Sequence, residues 1–144
     1  MTSDLITRLS KLDAPDREVD AQIEVAVRRI EAARSGLAEE YWANWQASLD
    51  GTVYDPHTRY PSNHFTASVD AAIALAERVL PFTHLVSTYH DDMASSVKIH
   101  CCPEGLSGEW KFDVKGDHER LAIAYCIAIL RAIALLRAKE ASKP

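Results

Sequence analysis

Apolar residues recur along this chain at two spacings, one helical and one alternating, and the changes between them divide it into elements. Leu5, Ile6, Leu9 and Leu12 make one stripe behind a Thr2 or Ser3 cap, and Asp13-Ala14-Pro15 ends that first helix. Asp16 caps a second, in which Val19, Ile23, Val27, Ile30 and Ala33 repeat at helical spacing as far as Ser35-Gly36. Leu37, Tyr41, Trp45 and Leu49 predict a third helix over 37–49, stopped by Asp50-Gly51, with Trp42 and Trp45 in the core. Residues 50–67 have no sustained period and read as a long loop. Ser68 or Thr66 then caps a helix carrying Val69, Ile73, Leu75, Ala76 and Val79, which Pro81 closes.

Alternation takes over next, predicting strands over 84–90, 96–102 and 109–114 joined by hairpin-length turns. Val97, Ile99 and Cys101 share the inner face of the second strand, with Lys98, His100 and Cys102 opposite. Trp110, Phe112 and Val114 share that of the third, with Glu109, Lys111 and Asp113 opposite. Counting outward from the first turn pairs His90 with Ser96.

Gly116-Asp117 is expected to reset the chain into a last helix over 117–139. Leu121, Tyr125, Ile129, Ile133 and Leu136 fill one arc of it, and Ile123, Ile127 and Leu130 a second. The remaining strip holds Ala124, Ala128, Arg131, Leu135 and Ala138, a small-residue face suited to a twin helix, so a homodimer is expected there. A membrane span is not expected. The uninterrupted apolar run is ten residues and Arg131 falls mid-segment, against the roughly 20 apolar residues a bilayer requires. The predicted fold is a single α+β domain over 1–144. A small antiparallel meander of about three strands is sandwiched by helices, with the apolar C-terminal helix as its spine.

Charge and composition narrow the function. A net charge of −5 argues against binding a nucleic-acid polymer, which needs a dense basic surface, but leaves room for a local basic pocket. The start of the chain is amphipathic and acid-containing, without the apolar core of a signal peptide, so a cytoplasmic location is expected. Cys101, Cys102 and Cys126 are odd in number and read as reduced structural thiols. His57, His64, His84, His90, His100 and His118 lack metal-ligand spacing, so neither metal nor cofactor is expected. A Gly-rich phosphate loop, a nucleophile elbow and a recognisable triad are all missing, which disfavours catalysis.

Candidate binding chemistry gathers in the aperiodic stretch. Tyr54, His57, Arg59, Tyr60 and His64 combine flat rings with a cation and suit an anionic, aromatic ligand such as a nucleotide. Arg59 would pair with phosphate, Tyr54 or Tyr60 would stack on a base, and His57 or His64 would donate hydrogen bonds. The competing reading is a surface loop whose tyrosines lie on the core. Lys98, His100 and Lys111 on outward strand faces form a second candidate patch.

Asp4-Leu5-Ile6 with Leu9, Arg17-Glu18-Val19-Asp20 with Ile23, Phe65-Thr66-Ala67-Ser68-Val69-Asp70-Ala71-Ala72, and Cys126-Ile127-Ala128-Ile129-Leu130-Arg131-Ala132 resemble the phage ABA-sandwich domain, found in small bacteriophage and prophage proteins. The resemblance implies a sheet between helical layers and a phage-encoded accessory role, and it transfers no catalytic residue. The resulting expectation is a non-catalytic protein of the bacterial host cytoplasm that sequesters a small anionic, nucleotide-like ligand and so counteracts host defence signalling. Two alternatives remain. One is an interaction module that inhibits a host enzyme or assembles with phage proteins; the other is a hydrolase of a nucleotide signal.

Overall fold

The computed structural model describes residues 2–36 and 43–142. Among them are helices α1 (Thr2–Ser10), α2 (Arg17–Arg34), α3 (Val69–Val79) and α4 (Leu121–Ala141). A small sheet contains β1 (Gln46–Ala47), β2 (Thr52–Tyr54) and β3 (Arg59–Pro61), and a larger one contains β4 (Thr83–His90), β5 (Ser95–Cys102) and β6 (Phe112–His118). Both sheets are antiparallel, with strands in sequence order. The fold is α+β, and the apolar C-terminal helix packs against the larger meander as the sequence pattern predicts.

Two helix starts follow from their caps. The Asp16 carboxylate accepts from the Val19 amide at 3.0 Å and the Ser68 hydroxyl from that of Ala71 at 3.2 Å, each satisfying an amide that the helix leaves unpaired. Thr66, the other candidate cap, has a different task. Its amide and hydroxyl both donate to the buried Asp20 carboxylate on α2, at 2.8 and 2.7 Å. Arg17 completes the clamp, donating to Asp20 and to the Ser62 carbonyl, each at 2.8 Å. A Cβ on Gly51, whose φ is +92°, would lie 2.6 Å from the Arg17 guanidinium, so the turn there requires glycine.

Several expectations need correction. Of the helix expected over 37–49, Leu37, Tyr41 and Trp42 lie outside the described residues. Its far end is strand β1, with Trp45 buried and Leu49 80% exposed. Gln46 and Ala47 pair with Tyr54 and Val53, and these long-range partners override the helical spacing. Residues 52–54 and 59–61, expected within a loop, form a hairpin. Ile73, expected in the core, is 38% exposed, because α3 buries Ala71, Ala72, Leu75, Ala76 and Val79 instead. His90 pairs with Ser95, one position from the expected register, and Cys102 is buried despite its outward parity. The third strand starts at Phe112 and continues to His118, through the Gly116-Asp117 pair expected to open the helix.

That extension has a steric cause. Gly116 lies directly on α4, where a Cβ would come within 2.0 Å of the Ala124 carbonyl oxygen and 2.7 Å of the Ala128 nitrogen. Strand and helix backbones therefore meet with no side chain between them. Ala124 and Ala128 are wholly buried, so the strip expected to receive a twin helix is already covered, and only its Arg131, Leu135 and Ala138 end is exposed. By length and hydropathy α4 could cross a membrane, but 67% of its most apolar window is buried within the fold, which is the pattern of a core helix.

Replacing Gly116 by Val forces strand and helix apart and is expected to destabilise the protein by about 3 kcal/mol or more. The urea midpoint measures this, and an unchanged midpoint would contradict the contact.

Candidate functional site

The small sheet lies against α2 because Val53 and Tyr60, directly opposite each other, point inward to Ala21, Val25 and Trp45. The Tyr60 hydroxyl donates to Glu24 at 2.9 Å, and Arg78 forks onto the same carboxylate at 2.8 and 3.0 Å. Arg28 covers the Trp45 and Tyr60 rings at 4.7 and 5.5 Å. Burial and then the neighbouring Glu24 push the Tyr60 phenol up to about 12. Tyr60 is thus a packing residue with an occupied hydroxyl.

The other loop candidates diverge. Tyr54 and Arg59 pair on the outward side of the hairpin, with the Tyr54 hydroxyl donating to Gln46. His57 is exposed in the turn that Asp55 holds by accepting from the amides of residues 57 and 58, and His64 is exposed further along. Among the described residues, four cavities of about 280 to 540 Å³ are each lined by residues other than Tyr54, His57, Arg59, Tyr60 and His64. The first four of these residues share one small hairpin without forming a common pocket.

The larger meander carries the second candidate patch. Its inner face sets Val97, Ile99, Cys101, Val114 and Gly116 against α4, while its outer face is open. Lys98 and Lys115 lie directly opposite one another on that outer face, flanked by the pairs His100–Asp113 and Ser96–Asp117. Lys98 is 3.5 Å from Asp113, and Lys115 is 3.6 Å from Asp117. His100 reaches Asp113 through Nδ1 at 2.5 Å, and this hydrogen bond, more than the Lys98 charge, lowers the Asp113 pKa. With Ser87, Tyr89 and Ser96 the two lysines line a hollow of about 500 Å³. Lys111 is elsewhere, its ammonium donating to the Leu106 carbonyl.

As chemistry, the His100–Asp113 pair has the form of an oriented base. Both partners are largely in water, at 39% and 46% exposure, so the site lacks the water-excluded setting in which fixed charges accelerate reactions. Among the described residues no cluster of three or more His, Cys, Asp or Glu is placed to hold a metal ion. The three cysteines are free and buried, and burial pushes the Cys101 thiol up to about 11, away from nucleophilic use.

The feature not anticipated from the sequence is the openness of β4, a strand whose existence the alternation predicts. β4 is an edge strand of eight residues, and α4 lies over its neighbours β5 and β6. Both its faces are consequently in solvent, with Leu85 57%, Val86 36% and Tyr89 66% exposed, followed by Met93 at 82%. A signal was present in the sequence. Thr83-His84-Leu85-Val86-Ser87-Thr88-Tyr89-His90 has no Lys, Arg, Asp, Glu or Pro, and its adjacent Leu85 and Val86 give both faces an apolar residue.

No family model, curated protein or solved structure matches the chain.

The raised Tyr60 pKa fixes a pH dependence. The neutral phenol is the form that the folded state favours, so its contribution is complete below the unfolded value of 10.0 and disappears as pH rises through about 12. Tyr60→Phe is therefore expected to be less stable than wild type at pH 9, with the gap closing towards pH 12. Denaturant midpoints measured across that range check it, and a gap independent of pH would contradict it.

Proposed function

We propose that this protein is a non-catalytic interaction module of the cytoplasm that takes up a β-strand of a protein partner along β4. One observation carries the reading: among the described residues, β4 has an unpaired edge and apolar side chains on both faces in solvent. Edge strands are ordinarily blunted by charge, proline, bulges or a covering element, because an open one is a template for pairing. β4 contains neither a Lys, Arg, Asp or Glu nor a proline, and its register with β5 is unbroken over all eight residues. Main-chain hydrogen bonds would supply affinity, and alternate pockets around Leu85, Val86 and Tyr89 would supply selectivity. The three buried free thiols suit a reducing cytoplasm. Inhibition of a host enzyme by a phage accessory protein belongs to this reading through the resemblance alone.

Capture of a small anionic, nucleotide-like ligand is the second reading, and the facing Lys98 and Lys115 favour it. Like charges set opposite each other on a sheet repel, and an anion over the hollow would offset that. Asp113 and Asp117 already do so in part, which places this reading second. The exposure of the His100–Asp113 pair places hydrolysis third.

Immobilised wild-type protein is expected to retain a partner from lysate of its source cells, and Val86→Lys to retain at least tenfold less, with an unchanged circular-dichroism spectrum. Equal retention by the two proteins, with the wild type monomeric, would remove the edge reading. Calorimetric heat with a nucleotide, abolished by Lys98→Ala, would establish the second reading instead.

A further inference from the structure

We infer that the strand accepted by β4 is β4 of a second copy, giving a continuous six-stranded antiparallel sheet with its two-fold axis at Ser87. The inference rests on the reading that β4 accepts a strand and adds the identity of the partner.

Backbone geometry fixes which groups are available. The Asp91 amide donates to the Ala94 carbonyl at 3.1 Å, which makes those two a hydrogen-bonded pair, and such pairs alternate along an antiparallel ladder. With His90 opposite Ser95 and Tyr89 opposite Ser96, the backbone groups of Tyr89, Ser87, Leu85 and Thr83 point to β5. Those of His84, Val86, Thr88 and His90 point to the free edge. An antiparallel partner must pair these residues with its own edge-directed ones, which also keeps inner faces with inner faces.

A two-fold axis at Ser87 meets that condition for every one of them. His84 faces His90 of the other copy, and Val86 faces Thr88, as hydrogen-bonded pairs. Between them, in the closer non-hydrogen-bonded positions, Leu85 faces Tyr89, an aliphatic–aromatic pair of the kind that stabilises sheets. An axis at Val86 would instead put Leu85 against Ser87 and leave His90 without a partner in the strand.

Charge favours β4 over β6, the other edge strand of the larger sheet, as the strand that a second copy offers: β6 would place Asp113, Lys115 and Asp117 along this neutral edge. β4 places no lysine, arginine or carboxylate there. With the axis at Ser87, Asp91 of one copy lies opposite Thr83 of the other, so each acidic turn sits beside the uncharged start of the other copy's β4. A parallel arrangement would bring the two acidic turns together.

Light scattering of the purified chain over a range of concentrations should give twice the monomer mass at high concentration, and Val86→Lys should give the monomer mass. Ser87→Cys should form an intermolecular disulfide under mild oxidation, because facing non-hydrogen-bonded residues lie about 4.5 Å apart at Cα, within disulfide range. Leu85→Cys, whose counterpart is Tyr89, should not. A monomer at every concentration would overturn the second copy, as would a dimer that Val86→Lys leaves intact. The two readings fail separately. A monomeric wild type whose lysate partner is lost in Val86→Lys would retain the strand-accepting edge and reject the second copy, whereas a monomeric wild type with equal lysate retention would reject the edge itself.

Discussion

The backbone contact between Gly116 and α4 is the constraint on which the architecture depends. A helix as apolar as Leu121–Ala141 must be covered along most of its length, and the meander can cover it closely only where a strand approaches without a side chain. Gly116 provides that approach over Ala124 and Ala128, themselves small and fully buried. Bringing β6 and β5 onto the helix uses the apolar surface of α4 on that side, while α1 and α3 pack elsewhere on it. β4 is left beyond the covered strands, and its openness is a consequence of where the close contact falls.

A second, polar constraint holds the N-terminal half. Asp20 is almost fully buried, and a buried carboxylate is tolerated only when its oxygens are well partnered. Thr66 serves one oxygen twice and Arg17 serves the other. Through Arg17 the same group reaches the Ser62 carbonyl, and Ser62 in turn donates to the Gly51 carbonyl at 2.7 Å. The small sheet is therefore tied to α2 by a directional network on one side and by the Trp45–Tyr60–Val53 packing on the other. This explains why a stretch with no hydrophobic period is ordered: its partners are distant in sequence.

The binding residues suggested by the chemistry of 54–64 are dispersed by the same hairpin. Alternation sends Tyr60 into the core and Tyr54 and Arg59 outward, and the turn carries His57 away from both. Lys98 and His100 do share an outward face, as their spacing implies. Lys115 joins them because β6 continues past the point where a helix was expected to begin.

By itself the sequence determined the elements whose stabilising partners are local. These are the capped helices after Asp16 and Ser68, the alternating faces of β5 and β6, and a final helix too apolar to stand alone. Capping bonds act within a turn and strand parity within two residues, so both are written in adjacent positions. Tertiary structure alone decided what depends on contacts across the chain. It set the strand at Gln46–Ala47, the continuation of β6 through Gly116, the burial of the Ala124 and Ala128 strip, and the exposure of β4. In each case the deciding partner lies on another element, and spacing along the chain carries no information about that distance.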